Sequence, residues 1–272
     1  RGAAVALTST QLELVTSDKA VCELREAEYW DAIDLLGRSF AGVSEEAPGE
    51  PVLSWLLPSL QYDNPHRQPY IGFLAAIDRI PHIKTGGGLL ATRDASGNLA
   101  AIIHFYRMKS GPPGFWARMG ANWRRMRAWI DLGARKRIPE LLSNAKARET
   151  KAFGEKLKVE LTARSKSLSN APQDLHHKHA PDQHHYYVSL VAVEPSMQGQ
   201  GHCGKLMRAI NRISDAEGVS LFLDCEAENG KVYERMGYTR VATETVTFAP
   251  GDELTIIGMV RPAECEEKEK LS

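Results

Sequence analysis

The stretch between residues 188 and 213 constrains this chain most, because it combines a strand, a glycine-rich turn and an amphipathic helix. Its first part is rich in strand-forming residues, namely Val188, Leu190, Val191 and Val193. Pro195 lacks a backbone donor and ends the strand. Apolar residues then return at helical spacing, namely Leu206, Met207, Ile210 and Ile213. The sequence therefore predicts a helix that begins directly at the turn formed by residues 198–204.

This turn, called the glycine turn below, has the character of an anion site. The first backbone N–H groups of a helix lack an intrahelical partner and lie at the positive end of the helix dipole. Three glycines in residues 198–204 would let a pyrophosphate approach that backbone closely. The spacing is neither a Walker A loop nor a dinucleotide-binding fingerprint. The alternative is an ordinary strand-to-helix turn that uses glycine for its geometry.

The glycine turn and its flanks resemble the acyl-CoA-binding motif of the GNAT superfamily of N-acetyltransferases. That motif is usually written Arg/Gln-x-x-Gly-x-Gly/Ala, and Gln198 and Gly201 fit it. Cys203 stands where Gly or Ala is usual. A second match follows the apolar segment 219–225, where family members commonly carry Asn-x-x-x-Tyr and then Gly-Phe or Gly-Tyr. The matching residues are Asn229, Tyr233, Gly237 and Tyr238.

The resemblance implies a set of residues that bind acetyl-CoA as cosubstrate. The backbone of Val191 and Val193 would bond the pantetheine, because in this family the strand before the turn splays away from its neighbour. Asn229 would also bond the pantetheine. The pyrophosphate would lie on the turn and first helical residues, which are Gln198, Gly199, Gln200, Gly201, His202, Cys203, Gly204 and Lys205.

Two roles in catalysis are implied by the same resemblance. Tyr233 would bind the cosubstrate at its sulfur and protonate or hydrogen-bond the leaving thiolate, since a phenol with a pKa of about 10 matches a thiolate of similar basicity. The alternative is a buried aromatic at a helix start. The general base is less defined, because the positions where family members carry a base hold Tyr187 and Ser189, neither of which is a good base. Strand alternation places His185 on the same face, so His185 acting through water, or Glu226 beside the next strand, is the expected base. The alternative for His185 is a structural or capping histidine.

The rest of the chain contains familiar pieces of an α/β fold and one long insertion. Residues 21–25 indicate a strand, residues 28–40 a helix with one buried face, and residues 89–105 a β-hairpin with its turn at 94–98. Residues 50–58 are similar to the segment after the first helix in antibiotic-type and fungal members of the family, or they form an ordinary apolar helical turn. Residues 1–20 are weakly patterned and indicate an arm or an extra edge strand.

Residues 107–183 would form an enlarged helical insertion that ends in a histidine-rich loop. Tryptophans and arginines alternate there, which would suit nucleic-acid stacking. Core packing or a wall of the substrate pocket is the favoured interpretation, because Trp116, Trp123, Met126 and Ile130 form one apolar stripe. The histidines around residues 176–185 lack the partners of a metal site, so we expect no metal.

Composition excludes several classes of function. Lysine plus arginine and aspartate plus glutamate both number 34, so the formal net charge of zero does not favour nucleic acid or anionic membranes as partners. No apolar run approaches the length of a membrane-spanning helix. The four cysteines, Cys22, Cys203, Cys225 and Cys265, have no paired spacing and favour reduced thiols in a cytoplasmic protein.

Together these observations predict one α/β domain over residues 1–272 with the GNAT fold, a mixed twisted sheet split at the cofactor strand. Residues 21–106 would form the N-terminal helix and hairpin half, 107–183 the insertion, and 184–262 the acyl-CoA-binding half. The expected function is acetyl-CoA-dependent N-acetylation of a small-molecule amine by direct transfer. The alternatives are peptide or protein N-acetylation and a non-catalytic CoA-binding regulatory module. The oligomeric state is open between monomer and homodimer.

Overall fold

The computed structural model describes residues 7–47, 49–77, 87–109, 156, 159–164, 178–179 and 184–264. The helices are α1 (Ser9–Thr16), α2 (Tyr29–Phe40), α3 (Pro51–Leu56), α4 (Arg67–Ile77), α5 (His202–Glu217) and α6 (Gly230–Glu234). The strands are β1 (Val21–Glu23), β2 (Gly87–Arg93), β3 (Leu99–Lys109), β4 (His184–Val193), β5 (Leu221–Glu226), β6 (Thr239–Ala249) and β7 (Asp252–Arg261). Residues 159–164 are also helical.

The seven strands form one mixed sheet in the order β1-β2-β3-β4-β5-β7-β6. Neighbouring strands are antiparallel except at β4 and β5, which run parallel because α5 connects them. This confirms the predicted α/β fold with a mixed sheet. The predicted hairpin is β2–β3, although β3 extends to Lys109. Most of the predicted insertion, including its tryptophans and arginines, lies outside the described residues, as do His176, His177 and Cys265.

Each face of the sheet is covered by its own helices. α5 buries Leu206, Ile210 and Ile213 against side chains such as Ile103, Val188 and Leu223, and we call this side the α5 face. α2 and α4 cover the other side, the α2 face, with a second cluster that is built on Ile33, Leu36, Ala75, Ile102 and Leu190. Both clusters are apolar and buried, so the sheet is packed on both faces where β4 meets β5.

The N-terminal segment differs from its prediction. Residues 9–16 form a helix and not an edge strand, because Thr8 accepts from the backbone of Gln11 while the Gln11 side chain accepts from the backbone of Thr8. This reciprocal capping box satisfies two donors that a helix start leaves unpaired. Gln11 also donates to Tyr186 and Glu217, which ties α1 to the sheet and to the end of α5.

Two glycines let α2 and α4 approach each other closely. A Cβ on Gly72 would lie 2.4 Å from the carbonyl oxygen of Ile33, and one on Gly37 would lie 2.5 Å from that of Gln68. Backbone atoms cannot move aside as a flexible side chain can, so both positions require glycine. This crossing fixes the helix pair over the α2 face.

α3 covers the α2 face further along the sheet, over β7. Val52 and Trp55 pack on Leu254 and Ile256. Neighbouring residues of a strand point to opposite faces, and Ile257 belongs to the α5 face, so Leu254 and Ile256 lie on the α2 face. Arg164 reinforces the contact, since its guanidinium makes two hydrogen bonds to Asp252. The α2 face is therefore bounded by α2 on one side and by α3 on the other, with β4 and β5 between them.

Candidate active site

β4 and β5 separate part-way along their length. They pair at Tyr186–Leu221, Tyr187–Phe222 and Val188–Leu223, and then continue to Val193 and Glu226 without pairing to each other. Both strands lie wholly within the described residues. The backbone edges beyond Val188 and Leu223, which we call the fork, can therefore accept a ligand between them. Val191 and Val193, predicted to bond the pantetheine, lie on the β4 arm of the fork.

A β-bulge marks the point where the fork opens. Leu190 of β4 pairs with His104 and Val188 pairs with Phe105, so Ser189 has no residue opposite it in β3. The bulge changes the alternation of β4, because Val188 packs in the α5-face cluster and Leu190 in the α2-face cluster. Bulges bend a strand and redirect side chains. The bulge lies directly after Val188–Leu223, the last pair between β4 and β5.

The glycine turn connects the β4 arm to α5. A short 3-10 helix, Pro195–Met197, leads into it, and Gly199 and Gly201 adopt φ of 75° and 80°. Within the described part of the chain, a Cβ on either glycine would meet no atom within 4 Å. Backbone conformation and not crowding therefore explains these glycines. No described side chain caps the start of α5 at Gly201, and its first turn carries no acidic residue.

His202 anchors this first turn to the sheet. His202 is buried, and its Nδ1 lies 2.9 Å from the hydroxyl of Thr92 on β2. Burial lowers the pKa of His202, and the nearby Lys205 adds to the effect. The imidazole is therefore a neutral anchor between the glycine turn and the sheet, and only the backbone N–H of His202 is suited to an anion.

Tyr233 of α6 lies on the α5 face, beside the β5 arm. It packs with Cys203, Cys225 and Tyr238, and its ring centroid is 6.0 Å from that of Tyr238. Burial raises the pKa of Tyr233 well above its usual value, with smaller contributions from Cys203 and Cys225. The phenol therefore holds its proton and can donate it to an anion that forms nearby.

The two cysteines beside Tyr233 are protonated. Burial raises the pKa of Cys203, and burial together with Glu226 and Asp224 raises the pKa of Cys225 to about 12. A thiol is a poor nucleophile until it loses its proton. Neither cysteine is therefore suited to carry an acyl group.

Asn229 and Glu226 contact each other at the end of β5. The Asn229 amide donates to a carboxylate oxygen of Glu226 at 2.7 Å, and Glu226 is buried. Close packing holds α6 beside them, because a Cβ on Gly230 would lie 2.6 Å from the side chain of Ile257. Three of the residues singled out in the sequence, Asn229, Glu226 and Tyr233, thus gather around the β5 arm.

His185 lies away from this group. It precedes the fork, in the part of β4 that approaches the paired segment of β5, and it is 1% exposed. Its ring packs edge-on against Phe222, at a centroid distance of 6.2 Å. His185 is therefore enclosed by the sheet, three residues before the last β4–β5 pair.

A band of polar side chains that the sequence did not single out as a group crosses the α2 face at the fork. His104 Nδ1 lies 2.6 Å from the Ser189 hydroxyl, and the Tyr187 hydroxyl donates to Asp224. Tyr106 lies between the two pairs, with ring centroids 5.6 Å from His104 and 5.4 Å from Tyr187. The fork thus has a proton donor on one face and titratable side chains on the other.

Two further features are absent from the described residues. No group of three or more histidine, cysteine, aspartate or glutamate side chains there could hold a metal ion. No helix among those residues is long and apolar enough to cross a membrane.

Residues 168–238 match the model of the Acetyltransferase (GNAT) family. The chain carries a GNAT acetyltransferase domain. The match spans the β4 arm, the glycine turn, α5, β5 and α6, which are the elements that build the fork. No curated protein sequence matches the chain significantly.

Solved structures share the fold of this GNAT domain. An insect arylalkylamine N-acetyltransferase 7 from the yellow fever mosquito is 11% identical, with a TM-score of 0.51 over 90% of this chain and 87% of that one. A histone acetyltransferase HPA2-related protein from Corynebacterium glutamicum is 14% identical, with a TM-score of 0.49 over 91% and 98%. A Drosophila melanogaster polyamine N-acetyltransferase is 14% identical, with a TM-score of 0.45 over 89% and 98%.

Proposed function

We propose that this protein is an acetyl-CoA-dependent N-acetyltransferase that transfers the acetyl group directly to a small-molecule amine. The observation that carries the proposal is the fork between β4 and β5, which ends at the glycine turn. A thioester in the fork would have Tyr233 on one face and the His104–Asp224 band on the other. The acyl donor and the acceptor would then meet from opposite faces of one sheet.

The proposed acetyl-CoA site uses the backbone groups that each element leaves available. The pyrophosphate would take the backbone N–H groups of His202, Cys203 and Gly204, which no described side chain caps. The pantetheine would lie along Val191 and Val193, where β4 no longer pairs with β5. An acidic residue in this first turn would repel the pyrophosphate, and none is present.

Tyr233 would complete the transfer by protonating the departing thiolate. Its raised pKa keeps the proton on the phenol until a basic sulfur forms beside it. Asn229 would contact the pantetheine while its amide remains held by Glu226. His185 and Glu226, the bases expected from the sequence, remain candidates in this proposal.

Three features of the α2 face favour a small cationic amine as acceptor. Asp224 places a carboxylate at the fork, where it would attract an ammonium group. Gly258 lies opposite Asp224 in β7 and leaves that position without a side chain. α3 covers the β7 side of this face through Trp55, with the Arg164–Asp252 pair beside it, and a small amine would need less of the remaining face than a long peptide.

The cellular setting belongs to the same proposal. We expect a cytoplasmic enzyme that acts without nucleic acid, membrane or metal, because its cosubstrate is acetyl-CoA and its described cysteines are free thiols. Cys22, Cys203 and Cys225 are those thiols.

The test is the release of free CoA thiol from acetyl-CoA in the presence of a panel of amines. The panel would contain an arylalkylamine, a polyamine and a peptide with a free N-terminus. Amine-dependent release with the small amines supports the proposal, whereas release with the peptide alone would assign the protein to peptide acetylation. Thermal stabilisation by CoA without any release would indicate a non-catalytic binding module. Neither release nor stabilisation would overturn the fork as an acyl-CoA site.

A further inference from the structure

His104 and Ser189 form a close polar pair at the bulge. The distance between His104 Nδ1 and Ser189 Oγ is 2.6 Å, which is short for a hydrogen bond between uncharged groups. In the tautomer with Nδ1 unprotonated, the Ser189 hydroxyl donates to the imidazole. The pair is therefore arranged so that a proton can pass from the hydroxyl to the ring.

Ser189 and His104 differ in whether a molecule in the fork can reach them. Ser189 directly follows Val188, the last β4 residue that pairs with β5, so its hydroxyl lies where the fork opens. Ser189 is half-buried, whereas His104 is 1% exposed. The hydroxyl is thus the end that a bound molecule can reach, and the imidazole is the enclosed end.

The groups that face His104 are consistent with a proton acceptor. Among the described residues, Tyr106 on its own strand contacts His104 and also Tyr187 on β4, and Tyr187 donates to the carboxylate of Asp224 on β5. α2 contributes only apolar residues to the described cluster on this face, such as Ile33 and Leu36. The band thus links His104 to a carboxylate through two tyrosine rings.

We propose that His104 receives the acceptor's proton through the Ser189 hydroxyl, so that Ser189 is the catalytic contact and His104 the base behind it. This assignment rests on the proposed function. An imidazole has its charge change between about pH 5 and 8, which suits general base catalysis near neutrality. A serine hydroxyl alone is a poor base, and the buried histidine on the neighbouring strand makes it effective.

The proposed step begins with two proton transfers. The bound ammonium gives one proton to Ser189 Oγ while Ser189 gives its hydroxyl proton to His104 Nδ1, which leaves a neutral amine and an imidazolium. The amine nitrogen attacks the thioester carbon, the carbon–nitrogen bond forms, and the carbon–sulfur bond then breaks. The thiolate takes the Tyr233 proton, the amide nitrogen loses its second proton to the phenolate, and His104 releases its proton to water. The products are the acetamide, CoA thiol and one proton.

The test compares Ser189→Ala, His104→Gln and the double variant with the wild-type enzyme. For an alkylamine at neutral pH we expect each single variant to lose about 100-fold in kcat, as general base catalysis is typically worth that much or more. The double variant should lose no more than either single variant, because both remove the same relay. Ser220→Ala, a buried serine next to the start of β5, is the matched control and should retain the wild-type rate.

Two readouts separate this role from a structural one. At pH values below the pKa of the alkylamine, the rate of the variants should increase tenfold for each unit by which the pH is raised, because in the variants only the amine that is already deprotonated can react. They should also acetylate an amine that is already neutral at the assay pH at close to the wild-type rate. CoA binding measured by calorimetry and the melting temperature should show that the variants are folded.

Several results would overturn the assignment. Loss of CoA binding together with kcat, or equal losses for neutral and charged amines, would mean that the pair only supports the fold. Wild-type kcat in Ser189→Ala and His104→Gln, with a pH-dependent loss in His185→Gln or Glu226→Gln, would transfer the role to one of those residues. An inactive wild-type enzyme would instead be a failure of the proposed function itself.

Discussion

Replacing Gly201 by alanine tests whether the conformation of the glycine turn matters for CoA. Gly201 has φ of 80° and is the N-cap residue directly before α5, and its added Cβ would meet no described atom within 4 Å. The change therefore adds backbone strain without a clash, and a left-handed conformation costs a residue with a Cβ about 1–2 kcal/mol. If CoA requires this conformation, its affinity should fall by about 5- to 30-fold, since 1.4 kcal/mol corresponds to a factor of ten.

Gly97 provides a matched control. It lies in the β2–β3 hairpin turn with φ of 86°, and a Cβ there would also meet no described atom within 4 Å. Gly97→Ala should therefore cost the fold a similar amount of stability as Gly201→Ala while CoA binding stays at the wild-type level. Calorimetric titration with CoA and thermal unfolding of both variants provide the comparison. Wild-type CoA affinity in Gly201→Ala, with the two variants equally destabilised, would refute the role of the turn.

Three further predictions concern the fold around the site. Gly230→Ala should destabilise the protein by about 1 kcal/mol or more in urea unfolding, because the new Cβ overlaps the end of the buried Ile257 side chain, which must change its position. Unchanged stability would show that Ile257 repacks without cost. Arg164→Ala should lower the free energy of unfolding by about 2 kcal/mol, since it removes two hydrogen bonds to the Asp252 carboxylate, and proteolysis near α3 should become faster. An unaltered digestion pattern would argue against a role of Arg164 in holding α3 on β7. A hydrogen bond from Arg25 and the nearby Arg93 lower the pKa of Glu28 from 4.5 to about 2, so its contribution to stability is complete above pH 4.5 and is lost as pH falls towards 2. Glu28→Gln should flatten the pH dependence of the unfolding free energy in that range, and an identical acid profile would contradict this assignment.

The elements of the site with strong periodicity could be predicted from the sequence. The apolar spacing of α5 indicates a helix, and the run of strand-forming residues in β4 indicates a strand that is buried on both faces. α1 was not predicted, although Thr8 and Gln11 have the spacing of a capping box. α4 was not predicted, because Pro69 and Gly72 interrupt its apolar pattern. The helix nevertheless forms, since Pro69 lies in its first turn, where the missing backbone donor costs nothing. Gly72 allows the close contact with α2.

The polar band on the α2 face could not be derived from the sequence. His104 is a single histidine in an apolar strand, and Ser189 lies 85 residues further along the chain. Only the register of β3 and β4, with its bulge at Ser189, brings the two side chains together. A shift of one residue in pairing changes which face a side chain occupies, and local sequence does not specify such a shift. The expectation for His185 came from strict alternation, which does not show that Phe222 packs against it.

The most direct test of the account is a single-turnover measurement of acetyl transfer by Tyr233→Phe. The substitution removes only the hydroxyl from a side chain that packs with Cys203, Cys225 and Tyr238, so CoA should bind with wild-type affinity. We predict that the rate of CoA thiol release falls by about 100-fold or more, because the thiolate must then leave without a proton donor. A wild-type rate in Tyr233→Phe, with the acetylated amine formed in equal amount, would contradict the proposal that the two faces of the fork supply the donor and the acceptor of the reaction's protons.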